Sequence, residues 1–271
     1  MRSLQQVQHW PVKNAAAAVV TADGVSTIGD TERVFRLASV TKPLVAYATL
    51  VALEEGAVEL DQPAGPPGST VRHLLAHTSG VAFATPEVLA EPGARRIYSS
   101  AGFELLADFL TAQTGIEFPR YLREAVFEPL GMATAVLVGS AGHAASASLA
   151  DLTLFATELL TPQLISRQTL DDATSVQFPD RNGVLPGYGS QRPNDWGLGF
   201  EIRDGKTPHW TGSANSARTY GHFGQSGTFL WVDPEIAVAT IALSDENFGD
   251  WARTAWPKFS DSVIAETHNT Q

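Results

Sequence analysis

The sequence predicts an α/β protein of the α+β type, in which one antiparallel sheet is assembled from both ends of the chain and flanked by helices. Apolar runs separated by short turn signals occur near the N-terminus and again in the last third, whereas the segment between them has helical spacing. The Pro- and Gly-rich segment Asp61–Ser69 separates the first strands from those helices. We therefore expect a single domain over 1–271, with an α/β part at approximately 1–60 and 175–271 and an inserted all-helical subdomain at approximately 61–174.

The first predicted elements are a hairpin and a helix. Apolar residues 15–21 and 25–28 flank an Asp-Gly pair, which is typical of a tight turn between antiparallel strands. Over 41–55 the apolar residues recur at helical spacing, and Gly56 follows as a C-terminal cap. We expect this helix to begin at Ser39.

Further helices and then strands follow. The helices are predicted at 70–76, 102–114, 118–127 and 149–160. Ser148 precedes the last of these, and Asp151 three residues on completes a capping box. The closing strands are predicted at 198–202, 228–232 and 236–243, with Asp-Gly and Asp-Pro turns between them. A final helix is expected over 251–267, bent or interrupted by Pro257.

Composition excludes several classes of function. Eighteen Lys and Arg against 29 Asp and Glu give a net charge of −11, which repels polyanions, so nucleic acid is not an expected partner. The chain has no cysteine and therefore no disulfide or thiolate nucleophile. The N-terminus lacks the features of an export signal, and the apolar runs are too short to span a bilayer. We expect a soluble, cytoplasmic protein without a transmembrane segment, whose oligomeric state these features do not predict.

Ser39 and Lys42 form the first candidate catalytic pair. They lie three residues apart at a predicted helix start, so the hydroxyl and the amine share one face. A serine hydroxyl is a poor nucleophile unless a base takes its proton, and a partly desolvated lysine has a lowered pKa that suits this task. The pair therefore indicates nucleophilic catalysis, although an S-x-x-K spacing alone is common.

The surrounding motifs strengthen this interpretation. In chain order they are LASVTKP at 37–43, HLLAHTSG at 73–80, YSS at 98–100, WGLGF at 196–200, GHFG at 221–224 and WVDP at 231–234. This succession resembles the serine beta-lactamase and penicillin-binding protein family, which includes class C beta-lactamases, D-Ala-D-Ala carboxypeptidases and serine esterases. The resemblance covers roughly residues 35–245. It implies a beta-lactamase/DD-peptidase-like fold, with Ser39 as the acylated nucleophile and Lys42 as its proton partner. Tyr98 would be the tyrosine of the Tyr-x-Asn motif, which acts on the hydroxyl or the leaving group.

The same resemblance implies a substrate-binding strand and identifies two departures from the family pattern. His222 and Gly224 stand where the family carries Lys-Thr-Gly or His-x-Gly, and His222 would contact the substrate. The backbone N–H of Gln225 would form the oxyanion hole together with that of Ser39. Ser100 replaces the family's Asn with a shorter group. Because histidine is mostly neutral at pH 7, the strand motif lacks a fixed charge for a substrate carboxylate, which favours esters or neutral amides.

Other chemistries are poorly supported. His73 and His77 lie four residues apart, but the glutamate of H-E-x-x-H is absent, so we interpret both as structural and predict no metal site. No G-x-S-x-G elbow or dinucleotide fingerprint is present. We predict a serine hydrolase that acts through an acyl-enzyme on a small-molecule ester, amide or beta-lactam and needs no cofactor.

Two alternatives stay open. A D-Ala-D-Ala carboxypeptidase-like enzyme is harder to reconcile with the missing export signal. A non-catalytic binding relative of the same fold is suggested by Ser100 in place of Asn.

Overall fold

The computed structural model describes residues 1–268, in which strands from both ends of the chain meet and most helices lie between them. The strands are β1 (Ala15–Thr21), β2 (Gly24–Ile28), β3 (Val34–Arg36), β4 (Val136–Leu137), β5 (Ala145–Ser148), β6 (Gly183–Leu185), β7 (Gly189–Gln191), β8 (Glu201–Ile202), β9 (Tyr220–Gly224), β10 (Thr228–Asp233) and β11 (Val238–Ser244). The α-helices are α1 (Thr41–Glu54), α2 (Val71–Leu75), α3 (Ser100–Thr114), α4 (Phe118–Leu122), α5 (Glu128–Leu130), α6 (Leu149–Leu160), α7 (Arg167–Ala173) and α8 (Asp250–His268). Short 3-10 turns occupy Ser3–His9 and Ala38–Val40, and a π-helical turn occupies Arg123–Phe127.

The central sheet is antiparallel throughout, with the strand order β2-β1-β11-β10-β9-β8. Successive residues of a strand point to opposite faces of a sheet. Val19 of β1 accordingly packs in one cluster with Trp256 of α8, whereas Val20 packs in another with Leu44 of α1 and Phe155 of α6. Because helices cover both faces, the central strands β10 and β11 are buried at every position.

The predicted fold class, hairpin and capping box are confirmed. The chain has the predicted mixture of helices and antiparallel strands, with the hairpin β1–β2 at its start. The Ser148 hydroxyl accepts a hydrogen bond from the Asp151 N–H, and the Asp151 side chain accepts one from the Ser148 N–H, which is the predicted capping box. None of the helices within residues 1–268 has the length and apolar character needed to cross a membrane.

The middle of the chain is not purely helical. The short strands β4 and β5 lie within it and form a small sheet with β3, in the order β3-β5-β4. A strand of two residues is too short to show an alternating pattern, and β5 consists only of alanine and serine. The strands therefore depend on pairing: β5 pairs with β3, which is distant in sequence, and β4 pairs with β5.

Two predicted strands begin later than expected. The strand predicted at 198–202 is reduced to β8, because Gly199 adopts a φ of 81° and a Cβ there would lie 2.2 Å from the Cβ of Ala46. The strand predicted from 236 starts at Val238, because Ala237 is in a left-handed conformation with a φ of 52°. The last helix runs through Pro257 without an interruption.

Candidate active site

The turn that carries Ser39 is fixed by both sheets. It is a 3-10 turn that leads into α1, so regular helix starts two residues after the predicted position. The Leu37 N–H donates a hydrogen bond to the Ala145 carbonyl of β5 at 2.9 Å, and the Thr228 hydroxyl of β10 donates to the Leu37 carbonyl at 2.9 Å. Ala38 adopts a φ of 45°, which is uncommon for a residue with a side chain. The backbone before Ser39 is thus held in one conformation.

Lys42 lies at the centre of the cluster and is completely buried. Its Nζ lies 2.8 Å from the Tyr98 hydroxyl, 3.1 Å from Ser100 Oγ and 3.4 Å from Ser39 Oγ. A fourth neighbour is the Gly142 carbonyl oxygen, at 2.8 Å. The structure therefore brings together Ser39, Lys42, Tyr98 and Ser100, although Tyr98 and Ser100 come from a segment more than fifty residues away.

The environment of Lys42 favours the neutral amine. Every atom that it contacts within hydrogen-bond distance belongs to a neutral group. Burial lowers the pKa of Lys42 from 10.5 to about 7, while the negative charge of Glu104 raises it by a smaller amount. A neutral amine has two N–H donors and one lone pair, and the Gly142 carbonyl can only accept. The lone pair is then available to accept the proton of Ser39.

His222 is a hydrogen-bond acceptor for the Tyr98 hydroxyl. His222 Nδ1 lies 2.7 Å from the Phe223 carbonyl, which can only accept, so Nδ1 carries the proton and Nε2 is the acceptor. The Tyr98 hydroxyl lies 3.3 Å from that Nε2. Burial lowers the pKa of His222 to about 3, with a further decrease from Lys42, so this ring is neutral at pH 7. Burial also raises the pKa of Tyr98, and a hydrogen bond with Ser39 opposes this effect, so Tyr98 is a phenol that both donates and accepts.

Gly142 is a part of the site that the sequence analysis missed. A Cβ on Gly142 would lie 2.7 Å from the Cβ of Ser100, so this loop packs directly on Ser100. The close approach brings the Gly142 carbonyl within 2.8 Å of Lys42 Nζ. Backbone carbonyls carry no sequence signature, and the glycine itself is the only signal. The small Ser100 and the close approach of Gly142 are thus structurally linked.

The end of β9 lies against the Ser39 turn. A Cβ on Gly224 would lie 2.3 Å from the Leu37 carbonyl oxygen, so only glycine fits there without a shift of the backbone. Gln225 follows directly, and its side-chain amide donates a hydrogen bond to the Phe248 carbonyl at 3.2 Å. Gly224 therefore lets the end of β9 approach the Ser39 turn closely, and Gln225 lines the same two cavities as Ser39.

Two cavities meet at Ser39. The first, of about 300 Å³, we call the tryptophan cavity; it is lined by Ser39, Phe83, Tyr98, Leu185, Pro186, Trp196, Glu201, Trp210, His222, Phe223 and Gln225. The second, of about 510 Å³, we call the arginine cavity; it is lined by Arg36, Ala38, Ser39, Phe83, Ser100, Val138, His143, Ala144, Ala145, Ser146 and Gln225. Ser39, Phe83 and Gln225 border both cavities. A substrate whose carbonyl group lies at Ser39 can therefore extend into both cavities.

His73 and His77 have separate surroundings. His73 Nδ1 lies 2.8 Å from the Thr70 hydroxyl, whereas the buried His77 accepts a hydrogen bond from the Ser99 N–H at 3.1 Å. The His77 ring packs on Tyr98, with 4.7 Å between ring centroids. Within the described part of the chain, no group of three or more His, Cys, Asp or Glu side chains could hold a metal ion. His77 thus supports the segment that carries Tyr98.

Fold and site together define a class of protein: an α+β protein with a serine hydroxyl, a buried lysine and a tyrosine clustered at a cleft beside an antiparallel sheet. The family model described as Beta-lactamase matches residues 12–262 of this chain. The chain therefore belongs to the beta-lactamase family. Membership supports a serine hydrolase-type function in general.

The relatives with solved structures cover nearly the whole chain. A beta-lactamase from Mycobacterium bovis is 60% identical, with a TM-score of 0.97 over 98% of this chain and 99% of that chain. EstCE1, described as a hydrolase with promiscuous acyltransferase activity, has a TM-score of 0.80 at 17% identity, over 97% of this chain and 99% of that chain. At that identity the likeness shows the fold alone.

A curated relative matches over a shorter region. The D-alanyl-D-alanine-carboxypeptidase/endopeptidase AmpH of Escherichia coli (strain K12) is 27% identical over 138 residues, which is 37% of this chain and 36% of AmpH. The matched region thus spans about a third of that relative's length.

Proposed function

We propose that this protein is a serine hydrolase that forms an acyl-enzyme on Ser39 and acts on small esters, amides or beta-lactams. The observation that carries the proposal is the buried, unpaired amine of Lys42 within hydrogen-bond distance of both Ser39 and Tyr98. An amine with a pKa of about 7 is half neutral at physiological pH and therefore serves as a base. The family match and the EstCE1 and Mycobacterium bovis structures are consistent with this reaction class.

In acylation, Ser39 Oγ attacks the substrate carbonyl carbon and forms a C–O bond, while its proton passes to the Lys42 amine. The carbonyl oxygen becomes an oxyanion that accepts hydrogen bonds from the N–H groups of Ser39 and Gln225. When the tetrahedral intermediate collapses, the bond to the leaving group breaks and the Tyr98 hydroxyl donates a proton to that group. Tyr98 recovers a proton from the Lys42 ammonium, which lies 2.8 Å away.

Deacylation repeats these steps with water as the nucleophile. Water attacks the acyl carbon and gives one proton to the Lys42 amine, either directly or through Tyr98. The bond to Ser39 Oγ breaks, the serine takes up that proton, and a carboxylic acid leaves. Tyr98 can relay the proton, since its hydroxyl takes a proton from water and passes its own to Lys42 Nζ, which lies 2.8 Å away. The serine, lysine and tyrosine are restored for the next turnover.

The proposal is tested by covalent labelling and by activity. Wild type and Ser39→Ala are treated with a fluorophosphonate and a penicillin probe, and the modified peptide is identified by mass spectrometry. A short-chain nitrophenyl ester, nitrocefin and a D-Ala-D-Ala peptide are assayed in parallel. We expect label on Ser39 only and a loss of activity in Ser39→Ala of about 10³-fold or more. Ser213→Ala, which changes a serine on an exposed loop, is the matched control.

The pattern across substrates separates the alternatives. Preference for the D-Ala-D-Ala peptide supports the carboxypeptidase-like alternative, which the partial match to AmpH also suggests. Label on another residue contradicts the assignment of Ser39. Equal inactivity of wild type and Ser39→Ala, together with a ligand that still raises the melting temperature, supports a non-catalytic binding relative.

A further inference from the structure

The cleft contains an arginine that the proposed reaction does not use. Arg36 is the last residue of β3, in which the central Phe35 is buried and both neighbours are exposed. Arg36 therefore points away from the core. Its guanidinium group makes no hydrogen bond or ion pair with any side chain or carbonyl within residues 1–268.

The cavity around Arg36 is suited to an anion. Arg36 pairs with Ser146 of β5, and both residues line the arginine cavity together with Ser39. Ser100 and His143 add a hydroxyl and an imidazole to its wall, and no aspartate or glutamate lines it. The cavity thus combines a free guanidinium with hydrogen-bonding groups and has no negative charge in its wall.

A second cavity that Arg36 borders contains carboxylates. Asp245 and Glu246 line an adjoining cavity of about 500 Å³ that Arg36 also borders. Asp245 is already engaged, because it accepts hydrogen bonds from the backbone and side chain of Asn14 and lies 4.0 Å from Arg33. Neither carboxylate lies within ion-pair distance of Arg36. The guanidinium is therefore available to a ligand.

The opposite side of Ser39 has a different character. The walls of the tryptophan cavity are mainly aromatic and aliphatic. Its one carboxylate, Glu201, is already paired with Lys206 and His209 at 2.9 Å each. Groups of substrate that enter this cavity meet apolar surface and a carboxylate that is already neutralised, so this side favours an uncharged, apolar group.

We propose that Arg36 forms an anion-binding subsite, so that the preferred substrates carry an apolar group on one side of the reacting carbonyl and a carboxylate on the other. This inference rests on the proposed function, because it places the reacting carbonyl at Ser39. It also changes the expectation drawn from the sequence. His222 leaves β9 without a fixed charge, but Arg36 on β3 supplies one at the same cleft.

The test compares two pairs of esters that differ in one charge. The first pair consists of the phenylacetate ester of 3-hydroxybenzoic acid and that of its methyl ester, which places the carboxylate on the leaving group. The second consists of monophenyl glutarate and methyl phenyl glutarate, which places it on the acyl group. For each pair the ratio of kcat/KM, anionic over neutral, is measured in wild type, Arg36→Gln, Arg36→Lys and Arg33→Gln. Arg33 is the matched control, because it borders the adjoining cavity and not the arginine cavity.

We expect the ratio for one of the two pairs to fall about tenfold in Arg36→Gln, to recover partly in Arg36→Lys and to remain at the wild-type value in Arg33→Gln. Because each ratio is compared across variants with the same two esters, their intrinsic reactivity cancels. A purely structural role of Arg36 would lower both rates alike and leave the ratio unchanged. An unchanged ratio for both pairs overturns the subsite while hydrolysis through Ser39 still stands.

Affinity measurements test the anion-binding subsite even if the protein does not hydrolyse the esters. Should wild type hydrolyse neither pair, the labelling and activity assays of the proposed function decide whether Ser39 reacts at all, and the dissociation constants of the same intact esters are measured by calorimetry. Tighter binding of an anionic ester that is lost in Arg36→Gln supports the subsite. Equal affinities of wild type and Arg36→Gln for both members of each pair overturn it.

Discussion

Two of the four lysines are buried, and their surroundings are opposite in character. Lys42 contacts three hydroxyl groups and one carbonyl, and no residue in 1–268 provides a counter-ion within hydrogen-bond distance. Lys206 lies 2.9 Å from a carboxylate oxygen of Glu201 and donates hydrogen bonds to the carbonyls of Asp195 and Ile202. One buried amine therefore lacks a negative partner, and the other has one.

The presence or absence of a neighbouring carboxylate gives the two buried lysines different electrostatic properties. Burial acts to raise the pKa of Glu201, but the charges of His209 and Lys206 outweigh it and lower this pKa to about 2. Glu201 is therefore ionised at all ordinary pH values and holds Lys206 as an ion pair. Without such a carboxylate, burial lowers the pKa of Lys42 to about 7, which allows proton transfer. In the proposed reaction the missing partner leaves Lys42 able to accept a proton, whereas Lys206 is held in an ion pair.

The largest expected effect is the loss of activity when the unpaired amine is removed. Lys42→Met keeps the length of the side chain but removes the base that takes the Ser39 proton. We expect kcat/KM for a nitrophenyl ester to fall about 10³- to 10⁴-fold. Lys258→Met, which changes an exposed lysine on α8, serves as the control. A loss of less than tenfold in Lys42→Met would show that another group accepts the proton.

Removal of the carboxylate that pairs with Lys206 should lower the stability of the folded protein. Glu201→Gln keeps the shape of the side chain but leaves Lys206 buried without its counter-ion. We expect the free energy of unfolding to fall by about 3–5 kcal/mol at pH 7, measured by urea denaturation. Adding Lys206→Met should recover part of this loss, because the uncompensated charge is then absent. If the double variant is as unstable as Glu201→Gln, the loss does not come from the stranded charge.

A new counter-ion beside Lys42 should make it resemble Lys206. Ser100 Oγ lies 3.1 Å from Lys42 Nζ, so Ser100→Asp places a carboxylate next to the amine. An adjacent opposite charge raises the pKa of an amine by about 1–3 units. In wild type kcat/KM should fall with decreasing pH below about 7, because protonated Lys42 cannot accept a proton.

In Ser100→Asp this acidic limb should move to higher pH, and the rate at pH 7 should fall about 10- to 100-fold. Ser100→Asn, which adds a neutral amide of the same shape, is the matched control. If both variants lose activity equally without a shift of the limb, crowding against Gly142 is the cause, and the charge has no effect.

The sequence predicts best those features that depend on residues a few positions apart. The hairpin β1–β2 and the capping box of Ser148 and Asp151 depend on residues a few positions apart, and both are confirmed. Ser39 and Lys42 share a helix start, so their proximity also follows from spacing. In contrast, β5 depends on pairing with β3, and β4 depends on pairing with β5. Both segments are short, and neither contains aromatic residues that would indicate a strand.

Contacts between distant segments could not be predicted in this way. The Gly142 carbonyl reaches Lys42 across a hundred residues, and no side chain marks it. The place of Arg36 at the cleft depends on its register with Ser146. The neutral state of His222 depends on burial and on the Phe223 carbonyl, neither of which a motif reveals. The roles assigned to the site residues remain predictions that the proposed experiments test.

The smallest expected effect concerns Glu104, a carboxylate that acts on Lys42 from a distance. Glu104 on α3 is exposed and raises the pKa of Lys42 slightly, against the larger effect of burial. Glu104→Gln should therefore lower that pKa and move the acidic limb of kcat/KM to lower pH by a few tenths of a unit. Asp108→Asn, on the same helix about one turn further on, is the control for a general loss of negative charge. The shift should shrink in 1 M salt, because screening weakens interactions between an exposed charge and its distant partner. A limb that moves to higher pH in Glu104→Gln would mean that this limb does not report the protonation of Lys42.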